Sequence, residues 1–213
     1  MRNLFVIGDS ISCYYGRYLQ PLLAGLFNYD RKGGTNLLKD LDDGTDGVNG
    51  GHSGMVVTYL RERLGRGGFA PDVLLLNCGL HDIKKDGAGN YQVPPQKYEA
   101  NLGEIIALSQ KIGCQLAWVR TTPMNHDERS RAARAAVPAD RLAVRDEEDV
   151  PRYNALADAV MRKAQVPLID LYTFTLNLGA DIYLTDADPV HFDKTAARLQ
   201  AAFIAGAVSS IFP

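Results

Sequence analysis

The sequence predicts an α/β fold, a three-layer α/β/α sandwich around a central parallel sheet of about five strands. Three observations predict it. Short apolar runs bounded by turn residues recur at 4–7, 73–77, 115–120 and 167–171. Segments with apolar residues at helical spacing lie between them. The 213 residues suffice for one sizeable core, so residues 1–213 read as a single domain.

The elements follow in order. Leu4-Phe5-Val6-Ile7 is a buried strand, and Gly8 allows a sharp turn after it. Tyr14 to Leu23 supply the first helix. Residues 25–48 are rich in Gly and Asp without periodicity, which predicts an irregular insert. A strand ahead of Gly54 is weakly written, with only Val48 to suggest it. From Gly54 to Leu64, Val56, Val57, Leu60 and Leu64 share one helix face. Gly65-Arg66-Gly67-Gly68 stops that helix, and without a following Lys-Ser/Thr it is no phosphate loop.

The strand 73–77 is followed by a helix over 95–111, with Tyr98, Leu102, Ile105, Ile106 and Leu108 inward. The Trp118 strand, 115–120, leads into a charged second insert over 122–150. Helices over 151–164 and 194–211 flank the strand 167–171. Right-handed crossovers between parallel strands bring ligands to the strands' C-terminal ends, and both inserts leave from that face. Loops of such length in a compact domain usually carry function or are disordered.

At the end of the first strand stands Gly8-Asp9-Ser10, and near the C-terminus Asp188-Pro189-Val190-His191. Taken alone, Ser10 also reads as a helix N-cap and Asp188/His191 as a surface turn. Taken together they have the parts of a nucleophilic centre. A hydroxyl is a weak nucleophile until a base takes its proton, and the base needs a third group to fix its tautomer. A carboxylate three residues from the imidazole on a tight turn reaches the ring. Ser10 would meet the substrate at a helix N-terminus, where its own N–H faces a developing oxyanion.

Four blocks in this order resemble the SGNH hydrolase (GDSL-like esterase/lipase) family along nearly the whole chain. They are Phe5-Val6-Ile7-Gly8-Asp9-Ser10-Ile11-Ser12, Asn49-Gly50-Gly51-His52-Ser53-Gly54, the strand 73–77 with Cys78-Gly79-Leu80-His81-Asp82, and Asp188-Pro189-Val190-His191. The resemblance implies a flavodoxin-like sandwich, Ser10, His191 and Asp188 as a catalytic triad, and backbone N–H groups of Ser10 and Gly54 as oxyanion donors. One departure stands out. His81 occupies the place of the family's block-three Asn, whose side chain also donates to the oxyanion. A neutral imidazole has one N–H and can do the same in the right tautomer. A helix-capping role for His81 is the alternative. Asp9, His52, Asp82 and Pro123 are expected around the substrate, with Tyr14, Tyr15, Tyr29 and His126 as further candidates for contact.

Composition narrows the partners. A net charge of −2 gives no reason to expect nucleic acid or an anionic membrane. Arg129, Arg131, Arg134, Arg141 and Arg145 form a basic stretch, but Asp127, Glu128, Asp140 and residues 146–149 interleave acids with it, which reads as a solvated face. No apolar run reaches a membrane span, and the short run before Asp9 is no secretory signal. Cys13, Cys78 and Cys114 are an odd number without metal-type spacing, as free buried thiols in the cytoplasm would be. His52, His81, His191, Asp9 and Asp188 lack metal-site spacing, and neither metal nor cofactor is expected.

The expected function is a serine esterase acting on a small acyl group, acetyl above all, on a polar alcohol such as a carbohydrate. The polar inserts and the lack of a lid-like apolar segment favour a small-molecule or glycan ester over a long lipid. An acyltransferase with the same triad and a weakly catalytic carbohydrate- or acyl-binding protein are the alternatives.

Overall fold

The run 4–7 becomes an inner strand of a five-stranded, wholly parallel sheet. The computed structural model describes residues 1–34, 48–125, 127–135 and 144–213. Strand β1 (Arg2–Ile7) pairs with β2 (Phe27–Arg31) on one side and β3 (Val73–Leu76) on the other; β4 (Gln115–Val119) and the two-residue β5 (Leu168–Ile169) follow. Between them run α1 (Ser10–Leu22), α2 (Ser53–Arg66), α3 (Pro95–Ile112), α4 (Glu128–Ala135) and α5 (Asp149–Lys163). Then come α6 (Leu171–Leu176), an antiparallel hairpin of β6 (Tyr183–Thr185) and β7 (Asp188–Phe192), and α7 (Lys194–Ile211).

The continuous apolar runs are explained by burial on both faces. Every residue of β3 is fully buried, as are Val6 and Trp118. Helix α1 packs against α7, while α2 packs against α3 and α3 against α5. Truncating Leu75 to Ala in the middle of this core is expected to cost about 2–5 kcal/mol. Strand order reverses between β1 and β3, and the crevice at their C-terminal ends is where such sheets take ligands.

Four expectations are corrected. Segment 25–48 is not irregular from its start, because Phe27–Arg31 forms β2. As an edge strand it exposes Asn28 and Asp30 and so lacks an apolar run. No strand forms at Val48, which is buried in a bend. Segment 122–150 contains α4, whose Arg129 pairs with Asp186 at 2.9 Å on the hairpin turn. Asp188 and His191 sit on β7, not within a tight turn. Residues 35–47, 126 and 136–143, among them His126, Asp140 and Arg141, lie outside the described residues.

Candidate active site

Ser10 is the first residue of α1, and Asp9 is its N-cap, accepting the Ile11 N–H at 3.0 Å. Gly8 is needed for space: a Cβ there would lie 2.6 Å from that of Ser12. The Ser12 hydroxyl in turn donates to the Asp9 carbonyl at 2.7 Å. Asp9 is 1% exposed, so it does not face a substrate as expected. Burial pushes its carboxyl above the ordinary value, although the Ile11 N–H and the charges of His191 and Arg145 oppose this.

The hairpin delivers the other two groups. His191 Nε2 lies 2.7 Å from Ser10 Oγ, and His191 Nδ1 lies 2.7 Å from Asp188 Oδ2. The second Asp188 oxygen accepts the backbone N–H groups of Val190 and His191, each at 3.1 Å. Burial works against the Asp188 charge, but the His191 hydrogen bond and charge and these two N–H groups hold its carboxyl below the usual value. With Asp188 ionised, the proton belongs on Nδ1, leaving the Nε2 lone pair for the Ser10 hydroxyl. The hairpin is held from outside by the Asn125 N–H, which donates to the Pro189 carbonyl at 2.8 Å. Tyr14, on the same helix as Ser10, places its ring beside that of His191.

The expected oxyanion donors differ in their state. The Ser10 N–H makes no hydrogen bond among the described residues. The Gly54 N–H is already engaged, donating to Nδ1 of His52 at 3.1 Å. His81 is held neutral, its pKa pushed down to about 3 by burial and then by Lys84, Arg145, His52 and His191. His81 thus senses the charges of both His52 and His191. No hydrogen bond holds either His81 ring nitrogen among the described residues.

Asp82 is fully buried and serves the scaffold instead of a substrate, which corrects the expectation for it. It accepts the Ser53 N–H at 2.9 Å and the Ser53 hydroxyl at 2.5 Å, and Asn101 donates to that hydroxyl at 2.8 Å. The network fastens the start of α2, next to Gly54, to α3. Burial raises the Asp82 carboxyl to about 7, with the Ser53 hydrogen bonds opposing and the Asp9 charge adding to the rise.

Pro123 is buried on the segment after β4, so it too is shielded rather than presented. Tyr15 is a core residue at 2% exposure, and Tyr29 lies mid-strand in β2. His52 is half-buried at the N-terminus of α2.

Sequence reasoning missed Arg145 and Lys84. Arg145 was read into a solvated charged face, yet its Nε donates to the Leu80 carbonyl at 2.7 Å. The preceding Val144 carbonyl accepts the Lys85 N–H at 2.9 Å, so the end of the second insert returns to the turn that carries His81. Nothing in a single sequence announces that return. Cys13, Cys78 and Cys114 are free and buried. Among the described residues no helix is long and apolar enough to cross a membrane.

Comparison with known proteins bears on this geometry. The sequence pattern of the GDSL-like Lipase/Acylhydrolase family matches residues 6–199. No curated protein matches the chain. Among solved structures, a lipase/acylhydrolase from Enterococcus faecalis is similar with a TM-score of 0.69 at 17% identity, over 99% of this chain and 97% of that one. The acetyl xylan esterase AlAXEase gives 0.67 at 15% identity, over 97% and 99%. The psychrotrophic esterase EstA from Pseudoalteromonas sp., inhibited by monoethylphosphonate, gives 0.65 at 14% identity, over 99% and 98%. At these identities the likeness is one of fold.

Proposed function

Since the chain belongs to the GDSL-like lipase/acylhydrolase family, we propose that it is a serine esterase that removes a small acyl group, acetyl above all, from a polar alcohol such as a carbohydrate. The observation that carries this reading is the unbroken contact from Ser10 Oγ to His191 Nε2 and from His191 Nδ1 to Asp188, both 2.7 Å.

In this reading Ser10 Oγ attacks the ester carbonyl carbon while its proton passes to His191 Nε2. Asp188 orients the ring and stabilises the imidazolium. The carbonyl oxygen, now negative, takes the Ser10 N–H at the positive end of α1, the Gly54 N–H and the His81 imidazole N–H. The tetrahedral species expels the alcohol, which receives the proton from His191. Water then attacks the acyl-enzyme, giving its proton to His191, and the acid leaves as Ser10 regains its own. No cofactor enters any step.

A carbohydrate ester is favoured by the polar character of the region around His81, which senses the charges of Lys84, Arg145, His52 and His191. The fold-level likeness to an acetyl xylan esterase points the same way.

Hydrolysis of p-nitrophenyl acetate, butyrate and octanoate by wild type and Ser10→Ala tests the proposal. Ser10-dependent turnover that is strongest on acetate is expected, followed by release of acetate from acetylated sugars. A well-folded wild type inert on all these esters would overturn it in favour of a binding protein.

A further inference from the structure

The Gly54 N–H, an oxyanion donor in the reading above, is not waiting for substrate. His52 is the N-cap of α2, and its Nδ1 accepts this N–H at 3.1 Å, as an N-cap side chain does. The ring lies close against the glycine, since a Cβ on Gly54 would sit 3.0 Å from His52 Cε1 and 3.1 Å from Nδ1. The N–H one position earlier, on Ser53, is consumed by Asp82. The first two N–H groups of this helix, which have no backbone partner, are therefore both spent on side chains of the protein. A carbonyl oxygen and an imidazole nitrogen need the same side of one N–H and cannot both have it fully.

We propose that His52 is the resident occupant of the Gly54 oxyanion donor, and that the substrate's carbonyl oxygen takes this N–H by displacing the imidazole. The inference rests on the esterase reading. His52 is then a positioning residue whose hydrogen bond is exchanged for one to the reacting oxygen. Esters form the exchanged bond weakly in the ground state and strongly as charge develops, so displacement selects for the transition state. The fixed Ser53–Asp82–Asn101 network keeps the helix start in place while the ring moves, so the donor does not follow its cap. His52 carries its ring on an N-cap residue with extended backbone, outside the helix proper, and needs only side-chain rotation to leave.

The test is phosphorylation of Ser10 by diethyl p-nitrophenyl phosphate, read as one equivalent of p-nitrophenolate. Ser10 Oγ bonds to phosphorus, p-nitrophenolate departs, the Ser10 proton goes to His191, and the phosphoryl oxygen occupies the oxyanion position. Without the occupant, H52A and H52V should react about 3- to 10-fold faster than wild type, the value of one exchanged hydrogen bond. They should do so despite lower thermal stability from the lost cap, a combination that a merely structural role does not produce. H52N, whose side-chain oxygen can accept the same N–H, should stay within about twofold of wild type.

Wild type alone supplies a second readout. Its Gly54 amide resonance should shift on phosphorylation as the N–H passes from nitrogen to oxygen. Rates for H52A and H52V equal to or below wild type overturn the displacement while leaving the esterase reading intact, and so does an unmoved Gly54 amide. No labelling of folded wild type or of either variant overturns both.

Discussion

The ring of Tyr14 lies 5.3 Å from that of His191, tilted by 33° to it. Ser10 and Tyr14 are four residues apart on α1, so one helix face supplies both the proposed nucleophile and the ring backing its base. An aromatic face within about 6 Å of a cation stabilises it by about 0.5–2 kcal/mol. Tyr14→Leu should therefore lower kcat on p-nitrophenyl acetate by about 2- to 30-fold, with Tyr14→Phe retaining much more activity. Equal rates for the Leu variant and wild type would confine Tyr14 to packing.

His81→Ala should lower kcat by about 10²- to 10³-fold if the imidazole N–H serves the oxyanion. His81→Asn restores a donor and should keep more activity than the Ala variant. Because burial holds the His81 pKa near 3, the ring stays neutral across the working range. The ratio of wild-type to His81→Asn kcat should then be flat from pH 5 to 9; a slope would mean that the ring titrates during catalysis.

Asp82 couples stability to pH in an unusual direction. Its folded value of about 7 lies above the ordinary 3.8, so between these the native state holds a proton that the unfolded chain has lost. Its contribution is full below the ordinary value and falls as pH rises towards 7. Urea unfolding of wild type and Asp82→Asn should show the wild-type advantage larger at pH 5 than at pH 8. An advantage that grows with pH would show that the Ser53 hydrogen bonds outweigh burial.

Gly79 turns the chain out of the β3 end at a φ of +156°, and a Cβ there would come within 2.3 Å of Thr121 Oγ1. Thr121 cannot easily yield, because Asn154 grips its N–H and carbonyl, each at 2.9 Å. Gly79→Ala should cost about 1–3 kcal/mol in denaturant unfolding and displace the turn that carries His81. Wild-type stability together with wild-type kcat would contradict this packing.

What was legible in the sequence was whatever depends on local pattern. The doubly buried strands β1, β3 and β4 wrote themselves as apolar runs, and the long helices as apolar faces. Ser10, Asp188 and His191 were legible because the proposed chemistry demands those types, and in the structure Ser10 and Asp188 each lie 2.7 Å from a ring nitrogen of His191. Strand β2 was hidden because an edge strand alternates Asn and Asp with its apolar residues. The β6–β7 hairpin was hidden because it is short and contains Pro189. Asp9 and Asp82 looked like cleft residues, since a sequence records a carboxylate but not the backbone N–H groups that consume it. Arg145 was misread for the complementary reason. Its surroundings are set by where a long segment returns, which no local rule encodes.

The packing of α1 on α7 also bears on when the proposed catalytic groups come together. Ser10 opens the first helix, and His191 lies just ahead of the last, whose N-cap is Asp193. These groups, 181 residues apart in sequence, meet where the final helix packs on the first. Contacts of such separation reward the chain only after the entropy of closing a long loop has been met, and folds rich in them fold slowly. Ester hydrolysis would then trail the recovery of helical signal in a refolding time course, and a nascent chain still lacking its last helix would be chemically silent.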